Sequence, residues 1–188
     1  MREKVSQKMK LKSISMKFYS GFSLKNEEYL FRNFIKSSEY TVCGFSYGAI
    51  KALRATRQAL NEGKRVDTLQ LFSPAFFQSK AEKFKRLQLM SYKKNEALYL
   101  KQFISSCFEP FEKKIIEHTD TTIDELRELL EYKWNIDDFK ELVNRGVAIE
   151  VYLGARDKII DVTAAKELFL EVATVTYIKD ANHFLQTT

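Results

Sequence analysis

A Gly-x-Ser-x-Gly pattern at residues 44–48 contains the serine with the clearest chemical potential in the chain. The apolar, β-branched residues before Gly44 predict a buried strand, and the apolar residues of 49–60 recur at helical spacing. A tight turn between such a strand and helix exposes the serine hydroxyl, and glycines beside it avoid a Cβ that would collide with neighbouring elements. The helix N-terminus favours negative charge beside Ser46. The pattern predicts Ser46 as a nucleophile for acyl transfer; an ordinary strand-to-helix turn is the alternative.

A serine nucleophile needs a base, and the base needs an acid that fixes its tautomer. The chain has two histidines. His183 follows the last predicted strand, where open α/β sheets bind their ligands. His118 lies in a region of predicted helices, just before a helix cap. We therefore expect His183 to be the general base and His118 to be a surface residue.

Two aspartates compete for the role of the acid. Asp157 lies in the turn directly after the predicted strand 147–153, whereas Asp161 is well placed as the N-cap of the following helix. Because the acid should leave the carboxyl end of a strand, as His183 does, the sequence favours Asp157.

Acyl transfer also needs two hydrogen-bond donors for the tetrahedral oxyanion. One is the backbone N–H of Tyr47, the residue after the nucleophile. The turn Ser20-Gly21-Phe22, which follows the first predicted strand, places the N–H of Phe22 as the second. Without the rest of the site, the same three residues are equally consistent with a plain turn.

Strands alternate with helices along most of the chain. Strands are predicted at residues 14–19, 41–44, 66–72, 147–153 and 174–178, and helices at residues 26–35, 47–61 and 162–170, with Asn26 and Asp161 as caps. The run 147–153 is almost continuously apolar, which is typical of a strand buried on both faces. The alternation predicts an α/β fold with a parallel sheet of about five strands, helices on its faces and right-handed crossovers.

Changes in composition divide the chain into parts. Residues 1–15 form a basic N-terminal extension, and Met16 is an alternative start. Residues 16–75 and 146–188 form the α/β core. Residues 76–145 read as short amphipathic helices, one of them capped by Thr122 with Glu125, and are predicted to be a helical lid inserted into the core.

The first half of this insertion is strongly basic. Its cationic residues are Lys80, Lys83, Lys85, Arg86, Lys93, Lys94 and Lys101. Composition alone favours a solvated helix face over a binding surface.

The chain has 188 residues, 45% of them hydrophobic, and a formal net charge of +6. It has no apolar run long enough to span a bilayer and no secretory signal, so we expect a cytoplasmic protein that does not bind membranes. Cys43 and Cys107 are expected to be reduced thiols. No nucleic-acid motif, metal cluster or nucleotide-binding loop is visible, so no nucleic acid, metal or cofactor is expected. The sequence does not indicate an oligomeric state.

Three segments resemble the triad segments of the α/β-hydrolase superfamily. They are residues 44–48, Gly154-Ala155-Arg156-Asp157 and Asn182-His183-Phe184. The order serine, aspartate, histidine is also the one found in that superfamily. Residues 73–76 are similar to the point where the carboxylesterase of biotin synthesis begins its lid, and residues 16–22 resemble the beginning of the short pimeloyl-[acyl-carrier-protein] methyl ester esterases.

The resemblance implies hydrolysis of the methyl ester of pimeloyl-[acyl-carrier protein] methyl ester, which releases methanol. It also implies an acyl carrier protein as partner, an acidic protein that the basic residues of the insertion would attract. The aromatic residues of the insertion would then line a channel for the acyl chain, although aromatic residues at helical spacing more often belong to the core. Two alternatives stay open: another acyl esterase or thioesterase with the same triad, and a non-catalytic binding domain with the hydrolase fold.

The chain departs from the superfamily pattern in three places. Ser20-Gly21 stands where His-Gly is usual, and no obvious extra strand and helix precede residue 41. The sequence also ends within a few residues of His183, so the usual closing helix is expected to be absent or cut off. A trimmed sheet is therefore expected, with its strand order open.

Overall fold

The computed structural model describes residues 16–188, so the extension predicted for residues 1–15 lies outside the described part. The strands are β1 (Lys17–Tyr19), β2 (Leu24–Lys25), β3 (Thr41–Phe45), β4 (Thr68–Phe72), β5 (Glu117–His118), β6 (Ala148–Gly154) and β7 (Thr174–Ile178). The helices are α1 (Tyr47–Asn61), α2 (Glu82–Lys94), α3 (Glu96–Phe108), α4 (Ile123–Glu131), α5 (Ile136–Asn144) and α6 (Val162–Phe169), with a 3₁₀ helix at Glu27–Phe31. Within the described range, none of the helices is both long and apolar enough to cross a bilayer.

The main sheet has five strands in the order β1-β3-β4-β6-β7, and each neighbouring pair is parallel. The predicted parallel sheet of about five strands is confirmed, and its order follows the chain. Because all five strands run the same way, their carboxyl ends share one edge. The turns after β1, β3, β6 and β7 therefore meet at this edge, which we call the site edge.

One face of the sheet is covered by α1, α5 and α6. Alternate residues of the central strands point into this layer, among them Leu69, Leu71, Ile149 and Val151, and all are buried. Phe139 of α5 is part of the same cluster. α5 thus packs as a helix of the core layer, although the predicted boundaries place it in the insertion.

The other face has a thinner cover, made by the 3₁₀ helix, the end of α3 and residues 181–185. Phe31, Phe45, Phe72 and Phe184 stack into a cluster beneath the site edge. Farther along the strands the cover ends, and β6 alternates between buried and half-buried residues instead of being buried on both faces. That part of the prediction is wrong because, among residues 16–188, no helix covers the middle of this face.

Polar side chains take the place of a helix there. Gln70 on β4 donates to the backbone oxygen of Phe34 and to Glu150, both at 2.9 Å. Hydrogen bonds from Lys36, Gln70 and Tyr152 hold the pKa of Glu150 below its ordinary value, although partial burial alone would raise it. The network satisfies the polar groups of a half-covered sheet face.

Two further local predictions differ from the structure. The helix expected at residues 26–35 is the shorter 3₁₀ helix, and the side chain of Asn26 makes no capping hydrogen bond. The insertion contains β5, which pairs with β2 in an antiparallel ribbon that two-residue strands gave no pattern to predict. The caps formed by Asp161 on α6 and by Thr122 with Glu125 on α4 are confirmed.

Candidate active site

The turn between β3 and α1 holds Ser46 in a strained conformation, with φ 51° and ψ −114°. A Cβ at Gly44 would lie 2.4 Å from the backbone oxygen of Gly48. A Cβ at Gly48 would lie 2.0 Å from the backbone oxygen of Tyr19 at the end of β1. Both glycines are therefore needed for steric reasons, and the second lets α1 approach the turn that follows β1.

We predict that Gly48→Ala lowers the free energy of unfolding by about 3 kcal/mol, since the added methyl group overlaps backbone atoms that cannot move independently. Urea denaturation measures the change. Gly63→Ala is the matched control: a Cβ there meets nothing within 4 Å, and only its positive φ of 74° is unfavourable. It should cost about 1 kcal/mol. Equal losses for the two variants would contradict the steric account.

The structure brings the three predicted triad residues together at the site edge. Ser46 Oγ lies 3.0 Å from Nε2 of His183, and Nδ1 of His183 lies 2.6 Å from Oδ2 of Asp157. All three are buried; Ser46 is 2% exposed and His183 is 1% exposed. The distances form a continuous hydrogen-bonded chain from hydroxyl to carboxylate, which is the geometry that lets imidazole take up a serine proton.

Backbone amides fix the second oxygen of Asp157. Oδ1 accepts hydrogen bonds from the N–H groups of Ile159 at 2.7 Å and Ile160 at 3.3 Å. Oδ2 is thereby turned towards His183. Asp161 instead accepts from the N–H of Ala164 at the start of α6, so the two aspartates make the different contacts that their positions predict.

The loop that carries His183 is held by its neighbours on both sides. A Cβ at Gly154 would lie 2.4 Å from the backbone oxygens of Ala181 and Asn182, so glycine lets the end of β6 touch this loop. The buried side chain of Asn182 donates to the backbone oxygen of Phe108 at 2.7 Å and accepts from the N–H of Gln186 at 3.0 Å. These contacts set the position of the imidazole.

The two predicted oxyanion donors flank Ser46. Tyr47 is the first residue of α1, and Phe22 lies in the turn after β1. Within residues 16–188, no acceptor binds the backbone N–H of either one. The N–H of Gly21, in contrast, donates to Oε1 of Glu27 at 2.7 Å, so this amide is not available to a substrate.

The remaining candidates for chemistry lie elsewhere. His118 is exposed, as predicted, and its Nδ1 lies 3.3 Å from the backbone oxygen of Ser23. Cys43 and Cys107 are free and buried. Burial, helped by the charge of Glu150, raises the pKa of Cys43 to about 12, so this thiol is a poor nucleophile at neutral pH.

Helices α2, α3 and α4 close the space above the site edge. The ring of Phe22 packs against those of Tyr47, Tyr92 and Phe103 at centroid distances of 6.1–6.3 Å. A cavity of about 320 Å³ lies between the three helices. Its apolar lining includes Phe77, Phe84, Tyr99, Phe103, Leu129, Leu130 and Ile159.

Six of the seven basic residues in the first half of the insertion are exposed or half-buried, and the seventh, Lys85, is buried. Lys83, Arg86, Lys93 and Lys94 are exposed along one side of α2, beside the exposed apolar side chains of Leu87 and Met90. Lys101 is exposed on α3, and Lys80 is half-buried next to the ring of Phe84.

Lys85 differs from the other six. Its side chain is 7% exposed, and Nζ lies 2.9 Å from Oε1 of Glu82. Position 85 belongs to the buried side of α2, one and two turns before Leu89 and Tyr92. The prediction of Lys85 as a docking residue is therefore corrected: its charge is paired locally and does not face a partner.

Two residues of the site were not singled out from the sequence for the roles they have. Glu27 binds the turn at residues 20–22, which carries the predicted oxyanion donor Phe22, and Asn182 anchors the loop that carries His183. Their contacts are made by side chains whose burial depends on the assembled fold. A signal for Asn182 was its position beside His183, whereas nothing in the local pattern marks Glu27.

No protein-family model and no curated protein matches this chain. Solved structures match its fold. Carboxylesterase CesB (YbfK) from Bacillus subtilis gives a TM-score of 0.59 at 11% identity, over 92% of this chain and 78% of that one. Esterase EaEST from Exiguobacterium antarcticum gives 0.56 at 14% identity, over 89% and 84%. BioG from Haemophilus influenzae gives 0.52 at 11% identity, over 90% and 88%.

A hydrolase structure from Bacillus subtilis gives a TM-score of 0.48 at 14% identity over 77% of this chain. This chain spans only 54% of the length of that protein. The similarity concerns the fold. This chain has the α/β-hydrolase fold, with a parallel five-stranded sheet and helices on both faces.

Proposed function

We propose that this protein is a carboxylesterase that hydrolyses the methyl ester of pimeloyl-[acyl-carrier protein] methyl ester through a Ser-His-Asp acyl-enzyme mechanism. The observation that carries the catalytic part is the hydrogen-bonded chain from Ser46 through His183 to Asp157. The α/β-hydrolase fold places these three side chains at the carboxyl ends of parallel strands, where open α/β sheets bind their ligands.

In the proposed acylation step, Ser46 Oγ attacks the ester carbonyl carbon while Nε2 of His183 takes its proton. The carbonyl oxygen becomes negative and accepts hydrogen bonds from the N–H groups of Tyr47 and Phe22. Asp157 keeps the other imidazole hydrogen on Nδ1 and stabilises the imidazolium. When the tetrahedral intermediate collapses, Nε2 of His183 protonates the departing methoxide, and methanol leaves.

In the deacylation step, water attacks the acyl-enzyme and loses a proton to Nε2 of His183. The second tetrahedral intermediate uses the same two N–H donors. Its collapse returns the proton to Ser46 Oγ and releases the free carboxylate. The steps need the residues of this chain and water.

The proposed substrate rests on the sequence resemblance, on the cavity and on the charge of α2. The cavity of about 320 Å³ lies between the helices, and the apolar part of its lining suits an aliphatic chain, although Gln88, Ser91, Gln102, Ser106 and Lys158 line it too. The exposed basic side of α2 suits an acidic carrier that stays outside while its acyl chain enters. We propose that α2, α3 and α4 act as a lid over the site.

The direct test is incubation of the protein with methyl-pimeloyl carrier protein, with methanol and the mass of the carrier measured over time. We expect methanol release and loss of one methylene mass from the carrier-bound acyl chain. Release of free carrier thiol would instead identify a thioesterase. Fast hydrolysis of p-nitrophenyl acyl esters without methanol release from the carrier substrate would identify a different acyl esterase. Inertness towards all substrates would support a binding domain.

Charge reversal on α2 tests the proposed partner. We predict that the triple variant Lys83→Glu, Arg86→Glu and Lys93→Glu raises KM for the carrier-bound ester by about tenfold, because long-range attraction to an acidic carrier is lost. The same variant should leave kcat/KM for p-nitrophenyl butyrate unchanged. The wild-type KM for the carrier substrate should also rise with added salt, which screens charges over about 8–10 Å.

A matched triple variant controls for net charge. Lys64, Arg65 and Arg145 are exposed and lie before β4 and β6, at the opposite edge of the sheet from the site. Their replacement by Glu changes the net charge equally and should leave KM for the carrier substrate near the wild-type value. Equal rises in KM for the two triple variants would contradict docking on α2.

A further inference from the structure

Glu27 is a completely buried carboxyl group beside the turn at residues 20–22. It is the first residue of the 3₁₀ helix and is 0% exposed. Oε1 accepts the N–H of Gly21 at 2.7 Å, and Oε2 has no hydrogen-bond partner among the described residues. Burial raises the pKa of Glu27, and the Gly21 amide makes the largest of several hydrogen-bond contributions that oppose that rise. Burying a carboxyl group with an unpartnered oxygen costs free energy.

The amide that Glu27 holds adjoins the proposed oxyanion donor. The N–H of Gly21 and the N–H of Phe22 belong to consecutive planar peptide groups that meet at the Gly21 Cα. Only the φ and ψ angles of Gly21 determine how these two peptide planes are oriented relative to each other, and glycine restricts these angles least of all residues. Glycine is nevertheless needed, because a Cβ at Gly21 would lie 2.8 Å from the ring of Phe45.

Other contacts fix the ends of this turn. The N–H of Leu24 donates to the oxygen of Gly21 at 3.1 Å, and the N–H of Thr119 donates to the oxygen of Ser23 at 3.2 Å. Among the described residues, Glu27 is the one whose side chain binds the Gly21 N–H. The orientation of the Ser20–Gly21 peptide therefore depends on a side chain at position 27 long enough to place an oxygen atom at the Gly21 N–H.

We propose that Glu27 is a positioning residue for the oxyanion hole: it holds the Gly21 N–H so that the N–H of Phe22 stays directed at the reacting carbonyl oxygen. The inference rests on the proposed function, because that function assigns Phe22 as a donor. Glu27 itself does not touch the substrate. It acts by removing the freedom of a glycine next to the donor.

Two conservative variants separate reach from charge. Glu27→Gln keeps an oxygen at the same distance from the backbone and removes the ionisable group. Glu27→Asp keeps the carboxyl and retracts it by one methylene, away from Gly21. If Glu27 acts by holding the Gly21 N–H, the Glu27→Gln variant should keep more activity than Glu27→Asp. If the negative charge of Glu27 is what matters, the ranking should be reversed. Glu27→Met, which fills a similar volume and has no oxygen, is a second variant that loses the contact.

The readouts are kcat and KM for p-nitrophenyl butyrate and the Kd of phenylboronic acid, whose tetrahedral adduct with a serine mimics the transition state. We expect Glu27→Gln to stay within about threefold of wild type in kcat. Glu27→Asp and Glu27→Met should lower kcat by on the order of 10- to 100-fold at unchanged KM, less than loss of a whole donor. Phenylboronic acid affinity should fall by the same factor.

Circular dichroism and thermal unfolding establish the folded fraction to which each kcat refers. Glu28→Gln, at the exposed neighbouring position, is the control and should behave like wild type. The inference is overturned if Glu27→Asp and Glu27→Met keep wild-type kcat and boronate affinity per folded molecule, or if Glu27→Gln falls as far as they do. A wild-type protein that neither hydrolyses the ester nor binds the boronate overturns the proposed function, and the inference with it.

Discussion

Replacing Ser46 with Ala is expected to lower kcat for any hydrolysed ester by on the order of 10⁴-fold or more, because no other described side chain occupies the position of the attacking oxygen. The fold should survive. The backbone N–H of Ser46 donates to the oxygen of Phe72, and its backbone oxygen accepts from the amides of Ala49 and Ala75. These bonds do not involve the hydroxyl, so the Tm should change little. Steady-state kinetics and thermal unfolding measure the two effects.

Ser73→Ala is a closely matched control. Ser73 is also a buried serine at the end of a strand, with φ 40°, and its hydroxyl has no hydrogen-bond partner within the described residues. We expect its kcat to stay within about threefold of wild type. If Ser46→Ala retains more than a tenth of wild-type activity, Ser46 is not the nucleophile.

Asp157→Asn is expected to lower kcat by on the order of 10⁴-fold. The N–H groups of Ile159 and Ile160 require an acceptor, so the amide oxygen of Asn takes the place of Oδ1. The NH₂ group then faces His183 Nδ1 and forces it to accept. The remaining imidazole hydrogen moves to Nε2, which can no longer take the proton of Ser46.

The control for this variant is Asp161→Asn. Asn caps helices as well as Asp does, and the acceptor for the Ala164 N–H is preserved. We expect less than a threefold change in kcat, measured on the same ester. A reversed ranking, with Asp161→Asn the more damaged enzyme, would contradict the assignment of the acid.

The triad could be predicted because each member lies in a segment with a strong local pattern. Ser46 lies between a buried strand and a helix whose periodicity is clear, and the turns with Asp157 and His183 directly follow strands. Parallel strands bring their carboxyl ends to one edge, so three separate local predictions combine into one site. The five-stranded parallel sheet follows from the same alternation.

The errors arise where the outcome depends on what covers an element. The alternation of β6 arises because no helix of the described part of the chain covers the middle of one sheet face, and the apolar sequence of β6 does not indicate this. Lys85 is basic like its neighbours, and only the phase of α2 places it inside. Glu27 is an acidic residue beside Glu28, and its burial follows from the turn that folds over it.

The central claim is that Ser46 is a nucleophile activated by His183. Labelling with a fluorophosphonate probe, followed by peptide mass spectrometry, tests it most directly, because the probe forms a bond to an activated serine oxygen. We predict a single adduct on the peptide that contains Ser46, absent from Ser46→Ala and strongly slowed in His183→Ala. An unlabelled wild-type protein, or an adduct that persists in Ser46→Ala, would contradict the claim.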